Sequence, residues 1–199
     1  MIYALRIFTA VIIAATIFSH SGCEKPQPDM LMKSIIQEAI GKTQGELTEA
    51  DCAELTTLIA THKGIADLAG IELCTNLTEL NLYGNNIEDI SPLANLNKLN
   101  KLVLADNNIT SIKPLSKLNN LNVLSIGDNP IRDITPLKVI TNLTKLRIVG
   151  IPINDLSPLA ELSKLNSLTI KHSNIIDLTP LAGLKNLGFW SLSTIVFRT

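Results

Sequence analysis

The sequence predicts an α/β solenoid. A curved parallel β-sheet forms the concave face, short 3₁₀ or single-turn helical segments form the convex face, and a helical cap closes the N-terminal end. Three observations predict it. An aliphatic motif returns every 22 residues from Leu55, with copies starting at Leu77, Leu99, Leu121, Leu143, Leu165 and Leu187. A fixed period of this size marks stacked turns, each burying its apolar face against the next. Within each copy a segment such as Leu80-Asn81-Leu82 alternates apolar and polar, the pattern of a strand with one buried face. The chain is 46% hydrophobic but only 4% aromatic, so its core must be aliphatic.

With 199 residues, the chain is long enough for one domain with a sizeable core. Net charge is −1 with mixed signs, so no basic patch argues for nucleic acid. Residues 1–22 read as an export signal. Arg6 precedes an apolar run, Ile7 to Phe18, that is short for a bilayer span and has the length of a secretory signal's apolar region. Ser19-His20-Ser21-Gly22-Cys23 resembles the bacterial lipoprotein box, although His20 stands where that pattern has an aliphatic residue. The resemblance implies lipidation of Cys23, with ordinary cleaved secretion and an uncleaved anchor as alternatives. Glu24 after the cysteine implies the outer membrane in a two-membrane cell. Residues 23–29, with Pro26 and Pro28, read as a tether.

Residues 30–54 read as the cap. Leu31, Met32, Ile35, Ile36, Ala39 and Ile40 form a helical stripe that Gly41 ends. A second helix is expected from Thr48, its N-cap, with Asp51 at the capping-box position. Such a lid is needed because a solenoid's first turn otherwise exposes its apolar side. Gly41-Lys42-Thr43 is not a phosphate loop, since Ile36 stands where its first glycine belongs.

Residues 55–199 hold six full copies and a truncated seventh. Asn85, Asn107 and Asn129 occupy the ninth position of consecutive turns, where an amide can bond the backbone of its own turn and its neighbour. The ladder is incomplete. Ile151 and Ile195 cannot replace it, so those turns are expected to be less regular or wetter. On the return side Ser91-Pro92, Lys113-Pro114, Thr135-Pro136, Ser157-Pro158 and Thr179-Pro180 recur. Ser or Thr there is expected to be an N-cap, with proline at the first helical position.

These copies resemble the leucine-rich repeats of the internalin-like class. Asp67-Leu68-Ala69-Gly70-Ile71 and Cys74-Thr75-Asn76-Leu77-Thr78-Glu79-Leu80 look like that class's first turn, and Ile40-Gly41-Lys42 through Thr48-Glu49-Ala50-Asp51 look like its cap. The resemblance implies a non-enzymatic module that binds a protein partner through the concave sheet face. The third, fifth and seventh positions of each copy face outward there. Candidate partner-binding residues are Tyr83, Lys101, Val103, Lys145, Arg147 and Lys171, against a partner of moderate acidity. The alternative is a structural spacer, or a truncated remnant of a longer surface protein.

No catalytic arrangement converges. His62 and His172 share a repeat position five turns apart, roughly 24 Å by strand spacing. Asp67, Asp89, Asp133, Asp155 and Asp177 form a column interrupted by Ser111; each is expected to bond its local turn rather than a metal, and no cofactor is expected. Cys52 and Cys74 hold equivalent positions on cap and first turn, within disulfide range at ~5–6 Å between Cα atoms, with two buried thiols as the alternative. The seventh copy, Leu187 onward, reaches Thr199 before any Pro-Leu segment, so an uncapped edge open to end-to-end self-association is expected.

Overall fold

The structure is a computed structural model that describes Phe8–Val11 and residues 30–195, with side chains over residues 30–188. Cys23, the tether at 24–29 and most of the proposed signal lie outside the described residues. Eight parallel strands lie in chain order. They are β1 (Phe8–Val11), β2 (Leu55–Ile59), β3 (Glu79–Asn81), β4 (Lys101–Val103), β5 (Val123–Ser125), β6 (Lys145–Val149), β7 (Ser167–Ser173) and β8 (Phe189–Ile195). β1 falls within the apolar run and pairs with β2, Val11 opposite Ile59.

The register from β2 onward is the 22-residue period itself: Thr57, Glu79, Lys101, Val123, Lys145 and Ser167 stand opposite one another. Leu80, Leu102, Leu124, Leu146 and Leu168 point inward and are buried, and the motif's other aliphatic positions join them in one continuous core. Each such side chain contributes about 1.5–3 kcal/mol by leaving water. The opposite side carries 3₁₀ segments at Ile71–Leu73, Ser91–Asn95, Lys113–Lys117, Thr135–Val139, Ser157–Leu159 and Thr179–Leu181.

The cap differs from expectation in one element. Helix α1 spans Leu31–Ile40 and ends on Gly41, whose φ of 71° lets Lys42 N–H reach the Gln37 carbonyl at 2.8 Å. No second helix follows. The Thr48–Asp51 box forms, with Thr48 N–H donating to Asp51 at 2.8 Å and Asp51 N–H donating to Thr48 Oγ1 at 3.3 Å. Residues 49–54 nevertheless stay a run of turns before entering β2. Six residues are too few to offset helix nucleation once the chain must straighten into a strand.

The convex side also corrects an assignment. Ser91, Ser157 and Thr179 are the first residues of their 3₁₀ segments, and none of these segments has a side-chain cap from the residue before it. The aspartate two residues ahead of each acts instead. Asp89, Asp133, Asp155 and Asp177 accept the N–H of Ser91, Thr135, Ser157 and Thr179, each at 2.8 Å. Carboxylates hold these Asx turns, and the serine hydroxyls of Ser91 and Ser157 donate to them as well. The side chains of Ser91, Thr135 and Thr179, and then their N–H groups, hold Asp89, Asp133 and Asp177 below the usual carboxylate range.

Candidate interaction face

Inside the bend after each strand, backbone groups turn away from the ladder and need partners. Asn85 supplies them. Its Oδ1 accepts from Lys63 and Ile65 N–H at 3.0 and 3.1 Å, and its Nδ2 donates to the Ala60 and Leu82 carbonyls at 2.8 Å. Asn107 bonds Ile87, Leu82 and Leu104 in the same way, and Asn129 bonds Ile109, Leu104 and Ile126. All three are buried.

Where the asparagines stop, an aliphatic side chain, Ile151, fills the ninth position and the amide's bonds are absent. Ile151 is fully buried, and the strands lengthen. Ile148 pairs with Ile170, and Val149 with Lys171. Ser173 Oγ donates to the Ile151 carbonyl at 2.9 Å. The main-chain rung past the strand is the same as in the asparagine turns: Gly150 N–H donates to the Lys171 carbonyl at 2.9 Å as Gly84 N–H does to that of Ala105 at 3.1 Å. Among the described residues no buried side-chain nitrogen or oxygen lacks a partner.

The eighth position carries a signal the motif hides. His62, Gly84, Asp106, Asp128, Gly150 and His172 all have φ between 52° and 70°. The chain turns through the left-handed region once per repeat, at a cost that glycine avoids and aspartate reduces. A second amide column, at the end of each copy, also went unread. Asn76, Asn120, Asn142 and Asn186 donate to the carbonyls of Ala53, Asn97, Asn119 and Ser163 in the preceding turn, at 2.6–2.8 Å. Lys98 and Lys164 fill the gaps by reaching Asn76 and Asn142.

These devices hold the outward side chains of β3–β7 in one face. Tyr83 is 38% exposed and meets His62 edge to face, ring centroids 4.9 Å apart. Val103, half-buried, stands opposite Asn81 on the neighbouring strand. Lys101 is not a free cation. Its Nζ lies 2.6 Å from Glu79 across the β3–β4 pair, which cancels the face's one acid. The only other ion pair among the described residues is Lys42–Asp51, in the cap. Lys145, Arg147 and Lys171 therefore carry unpaired charge on β6 and β7, with Lys145 and Arg147 exposed. Three strand spacings, roughly 14 Å, separate Lys145 and Arg147 from the Tyr83 turn, and four, roughly 19 Å, separate Lys171 from it. Lys101 leaves the candidate cationic set, and His62 joins Tyr83 at the aromatic end.

Among the described residues no three His, Cys, Asp or Glu side chains are grouped to hold a metal ion, and no helix is long and apolar enough to cross a membrane. The family profile described as Leucine Rich repeats (2 copies) matches residues 53–95 and 97–139. An internalin (inlF) from Listeria monocytogenes superposes with a TM-score of 0.76 at 36% identity, over 83% of this chain. Internalin C2 from Listeria monocytogenes superposes with a TM-score of 0.53 at 32% identity, over 83% of this chain and 93% of that one. The chain belongs to the internalin-like leucine-rich-repeat family. It spans about half, 51%, of the inlF internalin it matches. No curated protein matches it. An internalin-like repeat solenoid supports a protein-interaction module, and its family is generally non-enzymatic.

Proposed function

We propose that this internalin-like chain is a non-enzymatic interaction module, exported and held at a bacterial cell envelope by lipid on Cys23. Its concave face engages a protein partner through an acidic surface. The observation that carries the reading is the unpaired charge of Lys145, Arg147 and Lys171 on a face whose acid, Glu79, is already neutralised. Charge of one sign on a rigid sheet steers an oppositely charged partner and fixes its register. Tyr83 with His62 supplies an aromatic anchor at the other end, the residue class that dominates binding energy.

A crosslinked pull-down from the native envelope identifies the partner. Lys145→Glu with Arg147→Glu then abolishes its binding and leaves the melting temperature unchanged. Unchanged affinity in that double variant refutes the concave cationic face, and a pull-down that captures no partner favours the spacer. Cys23→Ser moves the chain from the membrane fraction to the soluble one, and its retention there refutes the lipid anchor. End-to-end association through β8 predicts dimers in solution; a clean monomer refutes it.

A further inference from the structure

In every turn, the residue three positions before each copy's first leucine is a core residue whose carbonyl accepts the N–H of that leucine. Leu96, Leu118, Ile140, Leu162 and Leu184 fill this column, all buried. Its first two members are Cys52 and Cys74, which bond Leu55 and Leu77 in the same way, at 3.0 and 3.1 Å. Two small side chains thus occupy adjacent levels of a column otherwise built from residues the size of leucine, at the one junction where the cap meets the repeats.

We propose that Cys52 and Cys74 form a disulfide that staples the N-terminal cap to the first turn. Their sulfurs are 2.9 Å apart and 1% and 0% exposed. The backbone on both sides is held in stacking register independently of the sulfurs. Asn76 Nδ2 donates to the Ala53 carbonyl at 2.6 Å, and Thr78 N–H donates to the Thr56 carbonyl at 2.8 Å. Neighbouring turns stack ~4.8 Å apart, inside the Cα range of a disulfide. The two free thiols share a hydrogen bond. Cys74 donates it, which with burial pushes its thiol up, while accepting it lowers Cys52.

Cys52, as thiolate, attacks a sulfur of an external disulfide donor, either an oxidoreductase or oxidised glutathione. A mixed disulfide forms and one donor thiol leaves. Cys74, deprotonated, attacks the Cys52 sulfur; the Cys52–Cys74 bond forms and the second donor thiol leaves. Two electrons pass to the donor, and the two cysteine protons end on its two thiols. Both sulfurs are buried in the finished fold, so the reaction precedes final docking of the cap. A solenoid opens from its ends, and this bond closes the N-terminal one.

The bond forms in the cell only if the chain is exported as proposed, so it is tested in vitro as well. Full chain carrying Cys23→Ser is unfolded and refolded in oxidised glutathione, then denatured, alkylated and cleaved by trypsin, which separates the two cysteines at Lys63. The expected product is the joined pair of peptides, and the oxidised protein melts on the order of 5–10 °C above the reduced one. Cys52→Ala with Cys74→Ala does not respond to oxidant, and the reduced parent chain serves as reference should that variant fold poorly. Alkylation of both sulfurs after oxidation, or equal melting of the two forms, overturns the staple. Either result in a chain that still binds its partner leaves the proposed function standing.

Discussion

The turns after β3, β4 and β5 and those after β6 and β7 make the same bend with different side chains at its centre. In the first group strands are three residues long and a buried asparagine collects the bend's carbonyls and N–H groups. In the second group strands extend to five and seven residues, and main-chain pairing reaches Val149 and Ser173. The rung past the strand is present in both groups, from Gly84 to Ala105 and from Gly150 to Lys171, so the second group makes the bend without the amide's additional bonds rather than by replacing them. Only the first concentrates the bend's bonds in a single residue.

This contrast can be broken by mutation. Asn107→Ala strands several buried backbone groups at once, each costing ~1–3 kcal/mol; relaxation and water entry reduce the sum, and a loss of about 3–5 kcal/mol is expected in urea unfolding. A loss under ~1 kcal/mol would show that the amide is not what holds the bend. Gly150→Ala is next. A Cβ there meets Asp128 Oδ1 at 2.3 Å with φ at 67°, so left-handed strain of about 1–2 kcal/mol is expected, plus whatever Asp128 cannot avoid. Ser173→Ala removes one hydroxyl bond and is expected to cost ~1 kcal/mol, well below Asn107→Ala. Equal losses at residues 107 and 173 would end the distinction between the two groups.

The smallest effect is an acid-side one in the cap. Asp51 is held at about 2, chiefly by the Lys42 and Thr48 side chains that donate to it. Its contribution is therefore complete above the ordinary carboxyl value of 3.8 and is lost as pH falls toward about 2. Protection of the cap amides, taken relative to intrinsic exchange at each pH, should fall over that range in the parent chain. In Asp51→Asn that protection should already be low and should not change with pH.

The repeat period was legible because burial repeats with it. Every inward leucine of β3 to β7 and the register of their pairing follow from one spacing. The second cap helix was not, since Thr48 and Asp51 make a capping box whether or not a helix follows. Ser91 and Ser157 looked like caps because serine and aspartate both suit the role; only geometry shows that the carboxylate does the accepting. The left-handed column was hidden by its mixture of His, Gly and Asp, which share no side-chain chemistry, only a tolerated φ. At the interaction face, Lys101 read as a free cation because Glu79 is 22 residues away in sequence and beside it in space.

The amides of Asn76, Asn120, Asn142 and Asn186 each bond a carbonyl 23 residues earlier. Turn therefore locks to turn by one rule, and the molecule has a natural unit of growth. Removing or adding a whole 22-residue turn leaves every lock with an equivalent partner, while removing one residue misaligns all the locks beyond it. Selection can thus lengthen or shorten the interaction face only in steps of one strand spacing, ~4.8 Å. The reach of the surface is counted, like rungs, in integers.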